Sequence, residues 1–110
     1  MSNTFRTICF AMMITGPALA GERTVTISCR HTSQATFDSA VTMIDSEPLK
    51  SGSIFEDMVR SDRGCAILHW GIAMTAAEPG LRQRATLDAL LAAAIGHANE
   101  MEWSKISLLR

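Results

Sequence analysis

Apolar residues recur at helical spacing along most of the chain that follows residue 32. The first such stretch covers residues 34–45, and its apolar positions are Phe37, Ala40, Val41 and Ile44. Because these positions are three, four and seven residues after the first, they fall on one face of a helix. Thr32 or Ser33 can cap the first turn. The pattern therefore predicts a helix with one buried side.

Three further helices are predicted over residues 49–61, 65–77 and 81–95. Proline or glycine stands at or beside each break between them, as is typical of turns that end one helix and begin the next. The third helix is apolar over most of its surface, so we expect it at the centre of the fold. For the fourth helix the spacing predicts a buried stripe made of Leu87, Leu90, Leu91, Ala94 and Ile95.

Residues 97–110 are predicted to be a C-terminal tail that can form a short fifth helix. Asn99 is a suitable first cap, and Met101 or Trp103 would then pack inward. The loops between the helices are short, which favours antiparallel neighbours. The hydrophobic pattern thus predicts an all-α fold of antiparallel helical hairpins, with a helical domain over residues 32–96.

The first twenty residues have the features of a secretory signal peptide. Arg6 is a positive charge near the start, residues 8–14 are apolar, and residues 18–20 read Ala-Leu-Ala, a small-x-small cleavage site. The apolar run is too short to cross a membrane, which takes about 20 residues. We therefore predict export to the periplasm or the exterior. In the chain, the signal peptide is followed by residues 21–31, which are predicted to be an extended arm because β-branched residues are frequent there.

Two cysteines follow the predicted signal peptide, Cys29 and Cys65. In an oxidising compartment an even pair can form a disulfide, and this one would contribute about 3–4 kcal/mol by constraining the unfolded chain. Alternatively, the two thiols never meet, and Cys65 is a small core residue of the third helix. Both readings stay open at this point.

Three motifs resemble a known family. They are FDSAV at residues 37–41, IFE at residues 54–56, and D-x-G-C-A-x-x-x-W-G-I-A-M-T at residues 62–75. Together they resemble exported bacterial proteins of the tetratricopeptide-repeat type. That resemblance implies stacked helical hairpins with a groove for a protein or peptide. It also implies that Phe55 packs between helices, and that Gly71 and Ala73 are small because two helices cross there.

The chain departs from the repeat pattern in three places. The turn around Glu47 and Pro48 is one residue shorter than the pattern implies. Arg63 stands where the resemblance implies a proline between repeats, and the likeness fades after Pro79. The chain has room for about two repeats, whereas solenoids normally need about three or more to bury their faces. A shortened family member or a self-associating chain, joined through the apolar edge of the fourth helix, is therefore a further hypothesis.

Four residues are candidates for a metal site: Cys29, His31, Cys65 and His69. Cys65 and His69 are four residues apart, so both lie on one helical face and could reach one ion. Against this, the spacing of Cys29 and His31 is too tight for easy joint ligation. The resemblance also implies packing roles for Cys65 and His69. We therefore predict no metal, no cofactor and no enzymatic activity.

Charge and composition narrow the choice of partner. Lys and Arg number 10 and Asp and Glu number 11, for a net charge of −1, which does not favour nucleic-acid binding. The acidic pairs Glu56–Asp57 and Glu100–Glu102 are expected on solvated helix faces. The predicted partner is a protein or peptide, with contacts near Asp38, Thr42 and His69. The alternative is a small exported metal-binding or thiol-redox protein that uses Cys29, Cys65 and His69.

Overall fold

The computed structural model describes residues 25–109 and is all-helical over that range, with no strand among those residues. The predicted signal peptide and the first four residues of the predicted arm lie outside the described residues. The helices, numbered here in chain order, are α1 Gln34–Thr42, α2 Pro48–Ser61, α3 Ala66–Thr75, α4 Pro79–Ala94 and α5 Glu100–Ile106, and a 3₁₀ turn, Ser107–Leu109, follows α5.

Local sequence signals account for most of the helix boundaries. The Ser33 hydroxyl accepts a hydrogen bond from the Thr36 amide and so caps α1. Prolines occupy the first positions of α2 and α4, where a missing amide hydrogen has no consequence. Asn99 begins α5 as predicted. The main difference is α1, which ends at Thr42, three residues earlier than the periodicity indicates.

Helix α3 lies at the centre of the fold, as its composition predicts. Most of its residues are buried, and it packs against α2, α4 and α5. Three aromatic rings form the adjoining core, with centroids 6.0–6.5 Å apart: Phe37, Phe55 and Trp70. Two of the three ring pairs meet edge to face, an arrangement that aromatic rings prefer.

The crossing of α2 and α3 depends on Gly71. A Cβ atom at this position would overlap the ring of Phe55, which is fully buried. The phenylalanine of one helix thus occupies the space that a side chain on the other helix would need. Phe55 and Gly71 thus form the close contact between the two helices.

The predicted buried stripe of α4 is wrong. The residues that α4 buries are Ala85, Ala89 and Ala92, whereas Leu87, Leu91 and Ile95 are 60%, 63% and 72% exposed, Ala94 is exposed and Leu90 is half-buried. Alanines and leucines repeat at the same spacing in this helix, and the larger residues misled the prediction. Small residues let α4 approach α3 closely, and that contact takes the alanine face.

The C-terminal segment packs onto the same core as the other helices. Helix α5 contacts α3 and α4, and its Ile106 is fully buried. The expectation that Met101 or Trp103 packs inward is wrong, because both side chains are more than two-fifths exposed. The buried residues of α5 are Glu102 and Ile106. None of the described helices combines the length and the apolar character that crossing a membrane requires.

Candidate functional site

A disulfide joins the extended arm to the helical core. It links Cys29 in the arm to Cys65, the residue that precedes α3, and the two Cα atoms are 5.3 Å apart. The turn that follows α2 positions Cys65, whose amide donates to the carbonyl of Asp62 at 3.0 Å. Of the two alternatives that the sequence leaves open, the structure contains the paired one.

Glu102 is a fully buried carboxylate beside this disulfide. One carboxylate oxygen accepts from the Ser28 hydroxyl at 2.7 Å and from the Asn99 amide at 2.7 Å, and the other accepts from the Ser28 amide at 2.8 Å. The Asn99 side chain in turn accepts from the Glu102 amide, which completes a capping box at the start of α5. Glu102 therefore both caps α5 and holds the arm.

Asp62 is a second buried carboxylate. It binds the chain just after Cys29, whereas Glu102 binds Ser28, just before it. Both of its oxygens lie 3.0 Å from the His31 amide, and one accepts from the Thr32 hydroxyl at 2.6 Å. Burial alone would raise the pKa of Asp62. The hydrogen bonds from Thr32, His31 and Arg30 and the charge of His31 outweigh burial and hold this pKa below its ordinary value of 3.8.

Side chains take the place of a partner strand for the arm. The side-chain oxygen of Gln34 accepts from the backbone amide of Ile27 at 3.0 Å, and its side-chain nitrogen donates to the Val25 carbonyl at 2.6 Å. The side-chain nitrogen of Asn99 donates to the Thr26 carbonyl at 2.8 Å. Backbone polar groups in a partly buried segment need partners, and the polar side chains of α1 and α5 supply them. The disulfide is thus one of several attachments of the arm.

A shallow groove of about 470 Å³ lies over the disulfide. Cys29 and Cys65 line it, and Arg30, Asp62 and His97 border it. Ser28 and two glycines complete its walls. Both cysteines of the disulfide therefore line the groove, whereas the buried Glu102 does not.

A larger groove of about 750 Å³ lies between the end of α2, the start of α3 and the second half of α4, and we call it the α4 groove. Its apolar residues include Val59, Leu91 and Ile95, and its polar and charged residues include Arg63 and Asp88. The remaining residues that line it are Arg60, Gly64, His69 and Ala92. The exposed leucine face of α4 therefore continues into a concave surface.

Of the four residues considered as candidates for a metal site, the two cysteines lie together and the two histidines do not join them. His69 lines the α4 groove, where its Nε2 is 2.8 Å from the carbonyl oxygen of Arg63. His31 reaches Asp62 through its backbone amide. Among residues 25–109, the one group of three ligand-type side chains consists of Cys29, Cys65 and Glu102.

The three residues predicted to contact a partner are divided between two parts of the fold. Asp38 and Thr42 both lie on α1, where Asp38 accepts from the Gln34 side chain at 2.9 Å and Thr42 donates to the Ser39 carbonyl at 2.8 Å. Their side chains are thus engaged by their own helix. His69 is the one that lines the α4 groove.

Sequence reasoning missed Glu102, which it expected on a solvated face. The spacing of Asn99 and Glu102 is that of a capping box, and this signal could have assigned the carboxylate to the helix start. No sequence signal points to Ser28, because 74 residues separate it from Glu102.

Comparisons with protein-family models, with curated proteins and with solved structures found no match for this chain.

Proposed function

We propose that this chain is an exported, non-catalytic helical scaffold that binds a segment of another protein in the α4 groove. The observation that carries the proposal is the division of α4 into an alanine face turned to the core and a leucine face turned to solvent. Leu87 and Leu91 form the exposed face, and Ile95, the residue that follows the helix, extends it. A contiguous apolar surface on a small protein is typical of an interaction site.

Covering the exposed apolar side chains of the groove would supply part of the binding free energy of such a complex. Fully burying a leucine or isoleucine side chain contributes about 1.5–3 kcal/mol. Leu91 and Ile95 line the groove and are 63% and 72% exposed. Covering them therefore supplies only a part of the approximately 8 kcal/mol that a micromolar complex needs, and further contacts must also offset the cost of association. Val59 and Ala92 extend the apolar floor of the groove. The alanine packing beneath helps to fix the groove, because α4 and α3 approach closely there.

The charges at the groove suggest what the bound segment looks like. Arg60 and Arg63 lie on its α2 side and Asp88 on its α4 side. Arg60 already pairs with Asp57 in its own helix. We infer a segment with apolar side chains at helical spacing, which fill the groove, and an acidic side chain that faces Arg63.

Export is part of the proposal. The Cys29–Cys65 disulfide supports it, because such bonds persist mainly in oxidising compartments. The signal-peptide pattern of residues 1–20 and the resemblance to exported tetratricopeptide-repeat proteins support it too. The alternative, a metal-binding or thiol-redox protein that uses Cys29, Cys65 and His69, has less support, because His69 lines the α4 groove instead of joining the cysteines.

The test is a selection of binding peptides from a displayed random library against the folded protein. The selected peptides are then titrated against the wild type and against Leu91→Asp. Leu49→Asp is the matched control, because Leu49 is also an exposed leucine, 83% exposed at the start of α2, but does not line the α4 groove. We expect apolar peptides with an acidic residue, and a loss of affinity of at least about tenfold in Leu91→Asp alone.

Two results would contradict the proposal. Peptides whose affinity is unchanged in Leu91→Asp, or falls equally in Leu49→Asp, would show that the α4 groove is not the binding surface. A wild-type chain that sediments as a stable dimer, and becomes monomeric in Leu91→Asp, would show that a second copy covers this face.

A further inference from the structure

Two sulfur atoms and a buried carboxylate meet at one point of the fold. The Sγ atoms of Cys29 and Cys65 and a carboxylate oxygen of Glu102 all lie within 4.8 Å of one another. Cys65 and Glu102 are buried and Cys29 is half-buried. Thiolate and carboxylate groups are the ligands of many protein sites for Zn²⁺ and related ions.

The carboxylate is held in place before any ligand arrives. Three hydrogen bonds, two from Ser28 and one from Asn99, fix both of its oxygens. A carboxylate has about four acceptor positions, so roughly one remains for a further partner. Supporting hydrogen bonds of this kind orient ligands and strengthen binding in metal sites.

We propose that, when the disulfide is reduced, Cys29, Cys65 and Glu102 bind one thiophilic divalent cation such as Zn²⁺. The disulfide and the metal-bound form exclude each other, since the same two sulfurs make either bond. Once the S–S bond is broken, rotation of the two cysteine side chains can separate the sulfurs around an ion, while the hydrogen bonds to Glu102 and Asp62 keep the arm in place. Both cysteines line the groove over the disulfide, and this groove is the path by which the ion would enter. The proposal does not depend on the α4 groove.

A phosphine or a dithiol can reduce the Cys29–Cys65 disulfide to two thiols. A phosphine breaks the S–S bond and takes an oxygen from water, which yields the phosphine oxide and leaves the two hydrogens of that water on the two thiols. Cation binding then releases these two protons to solvent, because thiolates are the ligands.

The test uses the full chain with Cys9→Ser, so that Cys29 and Cys65 are its only cysteines. After reduction with a water-soluble phosphine under anaerobic conditions, Co²⁺ is added as the probe. We expect a thiolate-to-cobalt absorption band that saturates at one Co²⁺ per chain and that Zn²⁺ abolishes. A band of the same strength and affinity in the urea-unfolded chain would overturn the proposal, since two cysteines alone would then account for it.

The role of the carboxylate is tested with two variants of α5. Glu102→Gln removes the buried ligand, and Glu100→Gln changes an exposed glutamate of the same helix. We expect Glu102→Gln to weaken Co²⁺ binding about tenfold or more and Glu100→Gln to leave it unchanged. Equal affinity in all three proteins would refute the three-ligand site.

A second measurement needs no variant at Glu102, so it stands even if Glu102→Gln does not fold. The reduced chain is exposed to a mild thiol oxidant with and without one equivalent of Zn²⁺. Zn²⁺ should slow disulfide formation at least about tenfold, because bound thiolates must leave the ion before they can be oxidised. Equal rates with and without Zn²⁺ would contradict the proposal.

Discussion

Helices α3 and α4 are both rich in apolar residues, yet the fold uses them in opposite ways. Helix α3 buries large side chains such as Ile67, Leu68 and Trp70. Helix α4 buries three alanines and leaves Leu87 and Leu91 in solvent. The difference teaches that apolar content alone does not identify a core face. Where two helices meet through small residues, the large apolar residues of one helix can remain exposed to solvent.

The largest effect is expected from removing a large side chain at the α2–α3 crossing. Phe55→Ala should lower the free energy of unfolding by about 3–5 kcal/mol, because it leaves a cavity among Phe37, Trp70 and Gly71. Leu91→Ala is the matched change on the exposed face of α4 and should stay within about 0.5 kcal/mol of the wild type. Urea unfolding followed by circular dichroism measures both values. A similar loss in the two variants would erase the distinction between α3 and α4.

The attachment of the arm to α3 should be nearly as costly to break. The disulfide closes a loop between residues 36 positions apart, and the chain-entropy model assigns such a loop about 4 kcal/mol. The double variant Cys29→Ser, Cys65→Ser should unfold at correspondingly lower urea concentration. A loss below about 1 kcal/mol would indicate that the hydrogen bonds of Glu102 and Asp62 hold the arm without help from the disulfide.

Two alanine-to-leucine changes distinguish the buried face of α4 from its exposed face. Ala89→Leu places extra methyl groups in the contact with α3 and should cost about 1–3 kcal/mol by overpacking. Ala94→Leu makes the same chemical change at an exposed position and should be nearly neutral. Thermal unfolding of both variants decides the matter. A larger loss for Ala94→Leu than for Ala89→Leu would reverse the assignment of the two faces.

The smallest effect concerns pH. The pKa of Asp62 is lower in the folded chain than its ordinary value of 3.8, so the unfolded chain binds the proton more tightly. The stability that Asp62 contributes is therefore complete above the unfolded pKa and is lost as the pH falls through the folded pKa. Between pH 6 and about pH 3 the wild type should lose more stability than Asp62→Asn. Parallel pH profiles would contradict this, and Asp45→Asn, at an exposed residue, is the control.

The sequence predicts the helices far better than their faces. Proline, glycine and Asn99 mark helix ends locally, so the number and order of helices follow from neighbouring residues. The face that α4 buries depends on how closely α3 approaches, which alanine and leucine at equal spacing do not reveal. The site around Glu102 depends on Ser28, which is distant in sequence. Contacts of that kind arise only once the fold brings the arm and α5 together.

The division of α4 can be tested directly by the reactivity of single thiols. Leu91→Cys and Ala89→Cys, each in the oxidised chain with Cys9→Ser, are treated with a maleimide, and the rate of labelling is measured. We expect the thiol at position 91 to react nearly as fast as in the unfolded chain and the thiol at position 89 to react at least about 100-fold more slowly. Protection at position 91 equal to that at position 89 would contradict the claim that α4 exposes its leucine face, on which the proposed binding surface depends.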